Sequence, residues 1–261
     1  MKYCNMQDFI IKSCENNINE ICFKGNNYED KLTYKDLLKN SKLIANKLSN
    51  EGINPGDKVI IQIKNNKRYL EVILAQFLLG VIPLPLPVCS NKEYYNRLVK
   101  IYNSIENCKI VCDKKGNELL NIFSTDDLKK IHVDDNSNNF IKDIYCPNVE
   151  ETILVQFSSG TTSDPKGALL SSKNILSNVE SICERLNVSE ADYIVSWMPL
   201  THNTGFIGIF LSALNRDVGL CLIDTELFIS NPKIWFDEIE RFRATITISP
   251  NFAYKYISNL I

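Results

Sequence analysis

The 261-residue sequence has only two histidines, no CxxC pair and no surplus of either charge, 29 Lys and Arg standing against 31 Asp and Glu. A formal charge of -2 gives no bulk electrostatic reason to bind a polyanion, so nucleic acid is not an expected partner. The nine cysteines are spread along the chain, and the closest pair, Cys108 and Cys112, has no second ligand pair nearby, so no metal site is expected. An odd number of dispersed cysteines reads as reduced thiols in a cytoplasmic protein. The opening stretch MKYCNMQDFIIKSCENN has charges and amides inside its apolar part and no small-residue cleavage site, which argues against a secretory signal. Long apolar runs are scarce as well. Residues 72–89, VILAQFLLGVIPLPLPVC, are long enough to span a bilayer. Gly80, Pro83, Pro85 and Pro87 divide them into a helix end and an extended segment, so a core helix feeding a buried strand is expected and no membrane span.

What the sequence does have is 44% hydrophobic residues, enough to bury a sizeable core, arranged in alternating helical and strand patterns. That alternation predicts an α/β architecture of mostly parallel sheets flanked by helices. Thr33 with Asp36 three residues on begins a helix, Leu37, Ser41, Ile44 and Leu48 repeat at helical spacing, and Gly52 ends it. A strand over 59–63, a helix over 68–79, a strand over 81–86, a helix over 94–106 and a strand over 109–112 follow. Residues 113–150 are the least regular, with Lys114, Lys115 and Gly116 reading as surface loop. A boundary near Pro147 divides the chain into 1–148 and 149–261, two α/β subdomains, the second incomplete at its C-terminal end. In that second block, strands are expected over 152–157, 193–197, 218–223 and 245–248. Helices are expected over 173–186, 204–215, after Asn231 and Pro232, and from Asn251 onward. The chain stops within an apolar helical pattern of Phe252, Tyr256, Ile257 and Leu260.

The most informative stretch is ILVQFSSGTTSDPKGALLSS, residues 153–172: a strand, ten residues rich in hydroxyls and glycine, then a second short apolar segment. Ser158, Ser159, Thr161 and Thr162 supply O–H donors, Gly160 and Gly167 let backbone N–H groups approach an anion, and Lys166 adds a full charge. A polyphosphate suits such a loop. It is not the nucleotide loop GxxxxGK[ST], because Pro165 precedes Lys166 and Gly167 follows it.

SSGTTSDPKG resembles the phosphate-binding signature of the adenylate-forming superfamily, the AMP-dependent synthetases and ligases. Three further segments resemble that family in the same order along residues 30–258. They are the helix-turn-strand LTYKDLLKNSKLIANKLSNEGINPGDKVII with its following FLLGVIPLPLPV, then SWMPLTHNTGFIG, then RATITISPNFAYKYI, whose PNFAY is closest to fatty acyl-AMP ligases. Two positions depart from the pattern: Ser163 stands where the signature usually has Gly, and Asn203 where acyl-AMP ligases often have an acid.

The resemblance implies ATP-dependent activation of a fatty or related carboxylic acid to an acyl-adenylate, with release of pyrophosphate and transfer to the thiol of an acyl or peptidyl carrier protein. An acyl-CoA synthetase is the nearest alternative. A truncated non-catalytic binding module is the other. By motif position Ser158, Ser159, Gly160, Thr161, Thr162, Lys166 and Gly167 would bind the phosphates of ATP, and His202 would line the carboxylate end of the substrate pocket as the catalytic residue. The ligand for Mg2+ is expected beyond residue 261, and the 261 residues alone are expected to be inactive as a ligase. Phe206, Ile207 and Phe210 have the helical spacing of ordinary core residues, and Trp197 is assigned to packing.

Overall fold

In the computed structural model, residues 2–123, 127–135, 138–141, 143–157 and 165–258 are described. The first elements are α1 (Met6–Asn16), β1 (Glu20–Lys24), β2 (Glu29–Thr33), α2 (Tyr34–Asn50), β3 (Lys58–Gln62), α3 (Asn66–Leu79) and β4 (Ile82–Pro85). There follow α4 (Lys92–Asn103), β5 (Lys109–Cys112), α5 (Lys114–Phe123), β6 (Lys130–His132), β7 (Thr152–Phe157), β8 (Gly167–Ser171) and α6 (Ser172–Arg185). Next are β9 (Tyr193–Ser196), a π-helix (Thr204–Leu211) running into α7 (Ser212–Asn215), β10 (Gly219–Ile223), α8 (Thr225–Ser230), α9 (Lys233–Phe242) and α10 (Asn251–Ser258). The elements fall into two units, Met1–Ile11 with Leu37–Leu176 and Lys12–Asp36 with Ser177–Ile261. This grouping interleaves the chain where the sequence suggested consecutive blocks, because β1 finds its partner β10 far along the chain.

The first unit is built on a parallel sheet of order β4-β3-β5-β6. Val59, Ile60, Ile61 and Gln62 are all buried, which is why β3 reads as a continuous apolar run rather than an alternation. Ile60, Leu84, Leu98, Ile101, Ile110 and Val155 belong to one apolar cluster against this sheet. In α3 every residue from Tyr69 to Leu79 is buried, which accounts for the apolar run without a bilayer. Among the described residues no helix is long and apolar enough to cross a membrane. The prolines of β4 fit its edge position. Ile82 N–H donates to Asp57 C=O at 2.8 Å, so alternate backbone nitrogens face β3 while those of Pro83 and Pro85, which have no hydrogen to donate, lie on the outer side.

Residues 114–116 correct the sequence reading. They start α5 rather than a surface loop, because the Asp113 carboxylate accepts the Gly116 N–H at 2.6 Å and satisfies a helix-end donor. A side chain at Gly116 would collide with the Gln62 carbonyl, so the glycine marks close packing of a helix on a strand.

The second unit holds a sheet of order β2-β1-β10-β9, in which only β1 and β2 run antiparallel. α9 is tied to its β1–β2 edge by two ion pairs, Arg241 to Glu29 at 2.6 Å and Lys24 to Glu238 at 3.4 Å, and Lys24 also meets Glu29 at 3.0 Å. The two cations hold the Glu29 carboxyl down to about 2. The strand expected over 245–248 is reduced to one bridge between Ile246 and Ile194. The helix expected over 204–215 is present, but its first eight residues are wound as a π-helix.

Candidate active site

The hydroxyl-rich loop joins two antiparallel strands of the first unit. Phe157 of β7 pairs with Gly167 of β8, and Gln156 with Ala168, so the loop closes a hairpin. Ser158, Ser159, Gly160, Thr161, Thr162 and Ser163 lie outside the described residues. Lys166 is described and exposed at the foot of the loop, one residue before β8 begins. Gly167 has a packing reason to be glycine: a Cβ there would lie 2.7 Å from Val155 Cγ1 and 3.1 Å from Phe157 Cε1. The far end of β8 is fixed by a cap on α6, in which Ser171 N–H and Oγ both reach Asn174 Oδ1 at 3.0 Å. The hairpin is therefore held at both ends of β8 by side-chain packing and capping.

His202 belongs to the second unit. It follows β9 after a turn in which its N–H donates to Pro199 C=O at 3.1 Å, and its own carbonyl accepts from Phe206 at 3.0 Å to start the π-helix. Its Nδ1 accepts the Thr204 N–H at 3.2 Å. Because an amide can only donate, the neutral ring carries its proton on Nε2, and the exposed imidazole presents an N–H donor outward. Gly205 makes this arrangement possible: a Cβ there would strike the Pro199 carbonyl, so the turn and the helix start are in direct backbone contact. At the next glycine, Gly208, a Cβ would make only ordinary van der Waals contact, the nearest atom being 3.9 Å away. A π-helix of this kind recurs at functional sites, since the wider turn changes which side chains face out.

Phe206, Ile207 and Phe210 are buried, and the Phe206 and Phe210 rings stack at 5.7 Å, as core residues do. Trp197 packs face to face on Phe228 at 3.9 Å and edge-on to Trp235 at 6.4 Å. Its indole N–H, buried in this aromatic cluster, has no hydrogen-bond partner among the described residues, and neither has Ser249 Oγ. Sequence reasoning gave neither group any role; an indole placed for packing carries no signal of whether its N–H is satisfied. Among the described residues no group of three or more His, Cys, Asp and Glu side chains is placed to hold a metal ion.

Several relatives match the chain along most of its length. A 4-hydroxyphenylalkanoate adenylyltransferase of Mycobacterium marinum is 24% identical over 98% of this chain and 44% of its own. A long-chain-fatty-acid–AMP ligase of Mycolicibacterium smegmatis is 25% identical over 86% of this chain and 37% of its own. The chain thus spans less than half the length of these curated relatives. Its fold superposes with a TM-score of 0.89 on a fatty acyl-adenylate ligase from L. pneumophila in complex with acyl adenylate and pyrophosphate, at 23% identity, covering 98% of this chain and 46% of that one. The hairpin with its lysine, the histidine turn and the parallel sheets lie within residues 11–260, which match the family described as AMP-binding enzyme, and the chain belongs to that adenylate-forming family.

Proposed function

We propose that the polypeptide to which these residues belong activates a carboxylic acid with ATP, forming an acyl-adenylate and releasing pyrophosphate. The observation that carries this reading is the family match across residues 11–260, joined to a hairpin that presents Lys166 to solvent. In the reaction the acid's carboxylate oxygen attacks the α-phosphorus, and the bond from that phosphorus to the bridging oxygen breaks. Little other covalent chemistry is left to the protein, so its work is positioning and charge neutralisation. Ser158, Ser159, Gly160, Thr161, Thr162 and Gly167 bind the phosphates, and Lys166 offsets the charge of the departing pyrophosphate. His202, with Nε2–H outward, donates to the carboxylate end of the acid and so fixes which oxygen attacks.

The acid is fatty or closely related and its acceptor is a carrier-protein thiol, a reading supported by the fatty acid–AMP ligase among the relatives. The dispersed reduced thiols suit a cytoplasmic setting. Residues 1–261 alone bind ATP weakly and do not complete the reaction. The test is acid-dependent exchange of labelled pyrophosphate into ATP by the complete polypeptide, followed by offering the adenylate either a carrier protein or coenzyme A. Exchange with fatty acids and thioester on the carrier alone is expected. Thioester on coenzyme A would instead identify an acyl-CoA synthetase. No exchange with any carboxylic acid would leave the chain as a binding module that keeps the fold without the chemistry.

A further inference from the structure

β9 leaves its sheet at Ser196, the last of its residues in register with β10, and the turn carrying His202 begins there. Beyond that pair the ladder stops, and both polar groups of the Trp197–Met198 peptide turn to side-chain hydroxyls. The Met198 N–H donates to Ser196 Oγ at 3.1 Å, and the Trp197 C=O accepts from Thr225 Oγ1 at 3.0 Å. A buried backbone group without a partner is costly, so the two bonds fix the plane of this peptide. The hydroxyls are not equivalent. Ser196 bonds within its own strand end, a local pattern that serine commonly makes. Thr225 opens α8, 28 residues on from Trp197, and reaches the turn from a separate element. The same helix lays Phe228 flat on the Trp197 ring at 3.9 Å, so α8 holds Trp197 by carbonyl and ring together. α8 is itself set on the sheet by the Asp224 N–H, which donates to the Lys24 C=O at 2.8 Å. The peptide so held leads into the groups that support His202: Gly205 packs against the Met198 and Pro199 carbonyls, and the Pro199 carbonyl accepts the His202 N–H.

We propose that Thr225 is a positioning residue for His202, a role that rests on the acid-activating reading of the site. It acts through the turn and not on the acid. Its hydroxyl fixes where the turn starts, the turn sets the Thr204 N–H on Nδ1, and that bond keeps Nε2–H as the outward donor. Without the hydroxyl the Trp197 carbonyl turns toward another donor, and the imidazole loses the fixed orientation that selects the attacking carboxylate oxygen.

Thr225→Val keeps the β-branched shape and removes the hydrogen bond, whereas Thr225→Ser keeps the bond. The sequence has two histidines, so nitrogen-15 correlation spectra of the 261-residue chain at about pH 9, where imidazoles are neutral, read His202 with His132 as reference. A ring held as the Nε2–H tautomer is expected in the unaltered and Thr225→Ser proteins. Averaging between the two tautomers is expected in Thr225→Val, with His132 unchanged. In the complete polypeptide, pyrophosphate exchange at saturating acid and ATP should fall about 10-fold or more in Thr225→Val, with the KM for ATP unchanged, and recover in Thr225→Ser. Tyr28→Phe controls for general loosening: it removes the 2.9 Å hydrogen bond from Tyr28 to Asp224, the neighbour of Thr225, and should leave tautomer and exchange as they are. A His202 tautomer unmoved in Thr225→Val, or moved equally by Tyr28→Phe, would overturn the proposal, as would undiminished exchange in Thr225→Val. A moved tautomer with no exchange even by the unaltered polypeptide would support the hold of Thr225 on the ring and refute the acid-activating reading.

Discussion

The hairpin that carries Lys166 and the turn that carries His202 deliver their side chains in opposite ways. The lysine stands next to a regular antiparallel ladder whose register pairs Phe157 with Gly167, and it is exposed. The histidine sits in an irregular turn where ring, backbone and helix start depend on one another: Thr204 N–H on Nδ1, Phe206 N–H on the carbonyl, Gly205 against Pro199. A functional group set beside a regular element can be changed without disturbing the fold, whereas one built into an interlocked turn cannot.

That contrast is broken most readily at Gly205. Gly205→Ala places a Cβ on a backbone carbonyl that has no flexible end to move, and a loss of about 1–3 kcal/mol is expected from urea unfolding. In Gly208→Ala the Cβ meets its neighbours at ordinary van der Waals distance, and helix propensity alone should add about 0.5–1 kcal/mol. Equal costs at the two glycines would contradict the interlocked turn. Gly167→Ala meets side-chain methyl and ring atoms that can shift, so about 1 kcal/mol is expected in the same measurement.

Glu29 belongs to the second unit's sheet edge and not to the residues assigned to the reaction. Its folded carboxyl lies near 2 against an ordinary 4.5, so it stabilises the fold fully above about pH 4.5, and that stability is lost as pH falls toward 2. Glu29→Gln should therefore flatten the acid limb of a stability-against-pH curve within that window. An unchanged limb would remove the Glu29–Arg241 pair from acid stability.

Much of this was legible in the sequence, for reasons that differ by element. β5 and β7 lie where apolar runs put them, and α2 begins where Thr33 and Asp36 predict a cap: Thr33 Oγ1 accepts the Asp36 N–H at 3.0 Å. The β1–β2 hairpin was not legible, because β2 is the charged edge sequence EDKLT and β1 depends on β10, a partner distant in sequence. α5 was hidden because KKG has loop composition, and only Asp113 reaching Gly116 makes it a helix start. Within the site, Lys166 and His202 stood out by motif position. The tautomer of His202 and the contact beneath Gly205 did not, since both are fixed by backbone geometry that residue types do not encode. The pairing direction of β7 and β8 was equally invisible, because an apolar pentapeptide carries no sign of its partner.

The account rests on Lys166 serving chemistry and not the fold. Substituting Lys166→Ala in the complete polypeptide, with pyrophosphate exchange and thermal unfolding measured on the same preparation, tests this directly. Exchange should fall about 100-fold or more while stability stays within about 0.5 kcal/mol. Undiminished exchange, or a loss of exchange explained by unfolding, would contradict it.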